Sequence, residues 1–168
     1  MPYNAASSLW SREDKPFFRD RNFRSVRQKG PHCVSTVLCI LTGEDPENFQ
    51  GKINTQDPVS WSEVLGQWGM KLAYCPSDAR KLKHYIEELV NFDDLFTLSY
   101  YTTLDHDKIL GEPDSRGWVT GSHIVVLHRD TILDPASGSE FDVLNHGCIE
   151  HHTKRIFRVV PADHARGL

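Results

Sequence analysis

Cys33, His123 and Asp134 are residue types that together can perform nucleophilic chemistry on a carbonyl carbon. The reactive form of cysteine is the thiolate, and a neighbouring imidazole can take the thiol proton and later donate it to a leaving amine. A carboxylate on the other ring nitrogen selects the tautomer of the imidazole and stabilises the imidazolium that forms. The three residues therefore indicate thiol chemistry, provided that the fold brings their side chains together.

A short buried helix is predicted to carry Cys33 in its first turn. Gly30 and Pro31 interrupt the preceding segment, and proline suits the first turn of a helix because its missing N–H costs nothing there. Apolar residues then recur at helical spacing, and Gly43 follows where a helix should end. The unpaired N–H groups and the positive end of the helix dipole at such a start favour a thiolate.

Two strands joined by a tight turn are predicted to carry His123 and Asp134. Residues 121–128 and 131–134 have the composition of strands, and a two-residue connection between them implies an antiparallel hairpin. In that register Asp134 lies on the diagonal from His123, within reach of its imidazole. A shift by one residue would turn the side chains to the other face of the sheet, so the prediction depends on this register.

The substrate oxygen that becomes negatively charged needs hydrogen-bond donors, and two are predicted beside Cys33. The backbone N–H of Cys33 has no partner within its own helix. Gln28, five residues upstream, can place its side-chain amide beside the sulfur. Loss of one donor of this kind costs roughly 3 kcal/mol in barrier height. Cys33 and Gln28 are therefore the candidates for an oxyanion hole.

Three motifs resemble the papain-like cysteine peptidases, and most closely the branch of bacteriocin-leader (double-glycine) peptidases and their stand-alone relatives. They are Gln28-x4-Cys33 before an apolar helix, Gly-Ser-His123 opening an apolar strand, and Asp134-Pro-x-x-Gly138 after the next strand. The resemblance spans about residues 28–160. It implies a papain-like fold, a protein or peptide substrate, and four roles: Cys33 as nucleophile, His123 as acid and base, Asp134 as orienter and Gln28 in the oxyanion hole.

Two other functions remain compatible with these residues. Transglutaminase-like proteins also use Cys, His and Asp in this order, so the same triad could transfer an acyl group to an amine or deamidate glutamine. The domain could also be catalytically inactive and bind a peptide in the same cleft. Reaction with an electrophilic thiol probe separates the inactive domain from the two enzymes, and release of ammonia without chain cleavage separates transfer or deamidation from hydrolysis.

A second cluster of chemically active residues lies near the C-terminus, at His146, Cys148, His151 and His152. Imidazole and thiolate groups can bind zinc, but structural zinc sites usually have clearer paired spacing. We therefore expect a loop with solvent-exposed histidines. The sequence predicts neither a metal nor a cofactor.

The whole chain has the size and composition of one soluble globular domain. Its 168 residues are enough to bury a core. Its content of 39% hydrophobic and 25% charged residues is ordinary for a soluble globular protein. A net charge of −4 argues against a nucleic-acid partner. There is no apolar run long enough for a membrane span and no secretory signal pattern. Because four cysteines are too few for a disulfide scaffold, we expect a cytoplasmic protein, with signal-independent export as the alternative.

The order of predicted elements indicates an α+β fold, in which N-terminal helices carrying the nucleophile pack on a mainly antiparallel sheet. A capping box at Ser60 predicts one helix, and Ser77 or Asp78 is expected to cap another. Further strands are predicted at 70–75, 95–102 and 156–160, and loops at 103–120 and 138–152. The expected organisation is an N-terminal arm at 1–26, a papain-like catalytic domain at 27–161 and a tail at 162–168. The oligomeric state does not follow from these patterns.

Overall fold

The computed structural model describes residues 9–10, 14–30, 32–49, 51–104 and 121–168. In this part of the chain the helices and strands follow in the order α1 (Cys33–Thr42), α2 (Pro58–Leu65), β1 (Met70–Cys75), α3 (Lys83–Phe92), β2 (Leu95–Tyr101), β3 (Ser122–His128), β4 (Thr131–Asp134), β5 (Ser139–Asp142) and β6 (Thr153–Pro161). Short 3-10 segments lie at 46–48, 66–68, 143–145 and 147–150. The predicted α+β class is confirmed.

The six strands form one sheet with the order β1-β6-β2-β3-β4-β5. Every neighbouring pair is antiparallel. The predicted hairpin between β3 and β4 is confirmed, because His128 pairs with Thr131 across the two-residue turn and Val126 pairs with Leu133. This register leaves His123 just beyond the paired residues, at the same end of the hairpin as Asp134.

Both faces of the sheet are covered, so side chains on the two sides of a strand enter different cores. On β3, Ile124 and Val126 pack in the core that contains α1. Val125 and Leu127 pack in the core that contains α3. This alternation is the period of two that a strand imposes, and burial on both sides explains why β3 is apolar over its whole middle.

Two helix starts differ from those predicted. Asp57, not Ser60, caps α2, because the Asp57 side chain accepts a hydrogen bond from the Val59 N–H while the Ser60 hydroxyl donates to the Asp57 carbonyl. The helix α3 begins at Lys83 rather than after Ser77 or Asp78. Asp78 instead accepts hydrogen bonds from the side chains of Arg80 and Tyr85, in the irregular segment that precedes α3.

The prediction of a loop over residues 138–152 is wrong. Gly138 adopts a left-handed backbone with φ of 70°, which turns the chain back so that β5 pairs with β4. Asp142 and His146 then cap the two short 3-10 segments with their side chains. Most of the predicted loop at 103–120 cannot be compared, since residues 105–120 lie outside the described ranges.

The described part of the N-terminal arm packs closely on the sheet. Leu9, Trp10 and Phe18 are buried. The N–H groups of Phe17 and Phe18 donate to the buried carboxylate of Asp94, which also receives two hydrogen bonds from Arg158. No helix in the described ranges has the length and apolar content needed to span a bilayer.

Candidate active site

Cys33 is the first residue of α1 and is partly exposed. His32 occupies the N-cap position, and within the described residues no side chain caps the first turn. The N–H groups there remain available for a negatively charged partner, and the helix dipole adds to the attraction. Cys39, Cys75 and Cys148 are buried, and burial raises the pKa of each to about 12. Cys33 is thus the most accessible thiol of the four.

His123 connects the thiol to a carboxylate. Its Nε2 lies 2.8 Å from Asp134 Oδ1, and the two side chains are only 13% and 10% exposed. The Cys33 side chain lies close enough to the His123 ring to raise the pKa of that imidazole. Because Nε2 is used by Asp134, Nδ1 is the ring nitrogen left for the sulfur. The structure therefore brings together Cys33, His123 and Asp134, the three residues that the sequence analysis identified as candidates.

A fourth side chain, His146, completes this network. Its Nδ1 accepts a hydrogen bond from the Cys148 N–H at 3.0 Å, so its proton must be on Nε2. That Nε2 lies 2.8 Å from Asp134 Oδ2 and donates to it. The Ala136 N–H donates to Asp134 Oδ1. Asp134 is consequently held by a donor on each oxygen in addition to His123, and it can only accept from His123.

The charges of this network shift two pKa values in opposite directions. Burial alone would lower the pKa of His123, but its hydrogen bonds to Asp134 and Cys33 and their charges raise that pKa to about 9. Burial would raise the pKa of Asp134, but hydrogen bonds from His123, His146 and the Ala136 backbone hold it well below its usual range. The fold therefore favours an imidazolium and a carboxylate at neutral pH.

The expectation of solvent-exposed histidines at 146–152 is wrong for His146, which is 9% exposed. His151 and His152 are half-buried, and their Nδ1 atoms bond the carbonyl oxygens of Tyr101 and Ala79. Across the described ranges no three His, Cys, Asp or Glu side chains lie close enough together to hold a metal ion. The sequence offered no signal for the role of His146, because only the unpredicted strand β5 brings it back to Asp134.

Gln28 lies beside the triad, but its side chain is turned toward its own loop. The Gln28 backbone N–H donates to the Pro135 carbonyl at 2.7 Å, next to Asp134. Its side-chain Nε2 donates to the Gly30 carbonyl at 2.9 Å. An amide nitrogen carries two protons, so one remains for another acceptor. Gln28 Oε1 is buried and has no hydrogen-bond partner among the described residues.

Tyr100 and Lys154 both lie close enough to Cys33 to interact with its charge. The Tyr100 ring meets His123 edge-on, with centroids 5.8 Å apart, and also packs on His151. Burial raises the pKa of Tyr100 far above its ordinary value, so it stays a neutral, mainly apolar surface. Lys154 lies close enough to Cys33 for their charges to interact, and its Nζ donates to the Ser122 hydroxyl at 3.1 Å.

The geometry of the site alone indicates its chemistry. No family model, curated protein or solved structure matches the chain. The arrangement offers a partly exposed thiol at a helix start, an imidazole whose Nε2 is occupied by a carboxylate, and helix N–H groups that no described side chain caps. Such a set can form and hydrolyse a covalent acyl intermediate.

Proposed function

We propose that this chain is a thiol hydrolase, a cysteine peptidase that cleaves a peptide or isopeptide bond through Cys33, His123 and Asp134. The observation that carries the proposal is the position of His123 between two groups: its Nε2 lies 2.8 Å from Asp134 Oδ1, and the Cys33 side chain interacts with the same ring. A structural cysteine needs no such neighbours. The proposal includes a papain-like arrangement, supported by a helix-borne nucleophile beside a base and a carboxylate on neighbouring antiparallel strands.

The first half of the reaction forms a thioester. At the start the thiol proton of Cys33 lies on His123 Nδ1, in the imidazolium form that the site favours, and the sulfur attacks the carbonyl carbon of the substrate. The carbonyl oxygen becomes negatively charged and is stabilised by the N–H of Cys33 and by the second amide proton of Gln28. When the tetrahedral intermediate collapses, the C–N bond breaks and His123 donates its proton to the leaving amine.

The second half consumes water. His123, neutral again, takes a proton from a water molecule that attacks the thioester carbon. Collapse breaks the C–S bond, releases a carboxylic acid and returns the proton to Cys33. Asp134 stays ionised throughout, since three donors besides solvent stabilise its charge. His146 is a positioning residue in this scheme, because it acts on the substrate only through Asp134.

The test begins with alkylation of the intact protein by iodoacetamide. Cys33 should react much faster than Cys39, Cys75 and Cys148, which are buried. His123→Ala should slow the reaction of Cys33, whereas His152→Leu, a matched histidine change outside the network, should not. Equal labelling of Cys33 and Cys148, or labelling indifferent to His123, would identify a domain without a working nucleophile.

Turnover is then measured on a mixture of peptides by mass spectrometry. A hydrolase produces a new carboxyl terminus and a new amine, and Cys33→Ala should abolish both. His123→Ala should lose nearly as much, and the double variant hardly more, because members of a triad act as one unit. Ammonia release without chain cleavage, or joining of two peptides, would replace hydrolysis with deamidation or acyl transfer.

A further inference from the structure

An irregularity in β6 places Lys154 and Arg155 on one side of the sheet. Ser99 pairs with Arg155, but the next residue, Tyr100, pairs with Thr153, so Lys154 is an extra residue opposite β2. A bulge of this kind breaks the alternation of side chains and redirects them, and bulges are frequent next to active sites. Without it, consecutive residues on β6 would point to opposite faces.

The contacts of the two cations identify that side. Lys154 Nζ bonds the hydroxyl of Ser122, which precedes Ile124 by two residues on β3 and so shares its face. The guanidinium of Arg155 lies 5.8 Å from the ring centroid of Trp61, which is in the same core cluster as Ile124 and α1. Both cations therefore lie on the face of the sheet that carries the helix of Cys33.

The two cations carry like charges that lie close enough to repel each other. Burial and the neighbouring charge of Arg155 lower the pKa of Lys154, while Cys33 opposes that shift. Among the described residues, neither cation has a carboxylate within ion-pair distance. Two half-buried like charges without a counterion are unfavourable, and an anion bound between them would remove the penalty.

We propose that Lys154 and Arg155 form an anion subsite beside Cys33, which binds a carboxylate of the substrate close to the bond that is cleaved. This inference rests on the proposed function, because it assigns a preference to the same cleft. A planar guanidinium binds a carboxylate through two parallel hydrogen bonds, and the ammonium adds a compact charge. The carboxylate is either an Asp or Glu side chain or the terminal carboxylate of the substrate chain.

Two small alkylating agents test the shared chemistry without a known substrate. Iodoacetate and iodoacetamide both alkylate a thiolate with loss of iodide, and they differ mainly by a carboxylate in place of an amide. The alkylation rate of Cys33 with each reagent is divided by the rate of glutathione with the same reagent. This relative rate should be higher for iodoacetate than for iodoacetamide. Lys154→Met combined with Arg155→Gln should lower this preference about tenfold, the equivalent of 1.4 kcal/mol. Lys154→Arg should preserve it, and Lys52→Met, at an exposed lysine, should leave it unchanged.

The outcomes separate this subsite from the proposed function. If alkylation by iodoacetamide depends on His123 but the double variant keeps the preference for iodoacetate, the subsite is overturned and the proposed hydrolase stands. Loss of His123 dependence overturns the hydrolase itself. Peptides matched as Glu and Gln, and as free acid and amide at the C-terminus, then identify the source by how strongly each one slows the alkylation of Cys33 by iodoacetamide. If the double variant loses a preference for Glu over Gln, the subsite binds an acidic side chain. If it loses a preference for the free acid over the amide, the subsite binds a chain terminus.

Discussion

At the scale of single residues, the site is centred on Asp134 rather than on the sulfur. Its oxygens accept from His123, from His146 and from the Ala136 backbone. A carboxylate with this many donors cannot readily take a proton, so it fixes both the tautomer and the orientation of the base. Orientation of the ring toward Cys33 is therefore a property of the network and not of His123 alone.

The protonation of His123 should follow from that network. We expect its ring signal, assigned by comparison with His123→Gln, to titrate near pH 9 in NMR spectra of the wild type. Since the folded pKa is raised above the ordinary value of about 6.5, its contribution to stability is present below that pH and is lost as pH rises through 9. Asp134→Asn should move the titration toward the ordinary value. A wild-type midpoint near 6.5 would contradict the assigned network.

The role of His146 makes a separate prediction. Because its hydrogen bond lowers the pKa of Asp134, His146→Leu should shift the acid limb of the Cys33 alkylation profile to higher pH and slow turnover roughly 10- to 100-fold. His146→Gln retains an N–H donor and should restore most of both. A merely structural role would reduce stability without moving the acid limb, and that result would remove His146 from the positioning network.

At the scale of elements, the site depends on how residues 25–28 pack against the turn after β4. The Gln28 N–H bonds the Pro135 carbonyl, and the Ser25 hydroxyl donates to the Ser139 carbonyl. Gly138 lies directly against Arg27. This contact joins the chain leading into α1 to the hairpin that carries His123, so it sets the position of Cys33 relative to His123.

Gly138→Ala tests that contact. A Cβ at this position would lie 2.7 Å from Arg27 Cβ, and the residue has φ of 70°. We expect a loss of more than the roughly 1–2 kcal/mol of left-handed strain alone, together with slower alkylation of Cys33. Gly51→Ala is the control, since its φ of 75° is similar but no described atom lies within 4 Å of the added carbon. Equal losses in the two variants would exclude a role for the contact.

At the scale of the whole molecule, one buried ion pair joins the N-terminal arm to the sheet. Arg158 and Asp94 are fully buried and lie 2.7 Å apart, and the arm adds two N–H donors to Asp94. The Arg158 guanidinium also lies over the rings of Trp10 and Phe17. The described residues of the arm are thus part of the folded domain.

Neutralising Asp94 should destabilise the fold strongly. Asp94→Asn leaves the buried Arg158 without a charged partner, and breaking such a pair costs about 3–5 kcal/mol. The adjacent Asp93 pairs with Arg129 at the surface, so Asp93→Asn should cost only about 0–1 kcal/mol. Urea unfolding measures both. Similar midpoints for the two variants would contradict the assigned importance of the buried pair.

The sequence determined local structure wherever short-range physics decides it. The spacing of apolar residues and Gly43 predicted α1, and the two-residue connection predicted the β3–β4 register that brings Asp134 near His123. These features depend on neighbours within about ten positions, so periodicity and turn chemistry suffice to find them. The α+β class followed from the same local patterns.

Only the tertiary structure decided which distant residues complete the site. His146 reaches Asp134 because β5 pairs with β4, and Lys154 faces the side of α1 because β6 bulges against β2. The side-chain amide of Gln28 donates to the Gly30 carbonyl. The spacing of residues along the sequence does not indicate which of several nearby acceptors an amide will bond. Long-range pairing, bulges and the competition between hydrogen-bond partners depend on the packed whole, and one sequence read along its length does not contain them in a recognisable pattern.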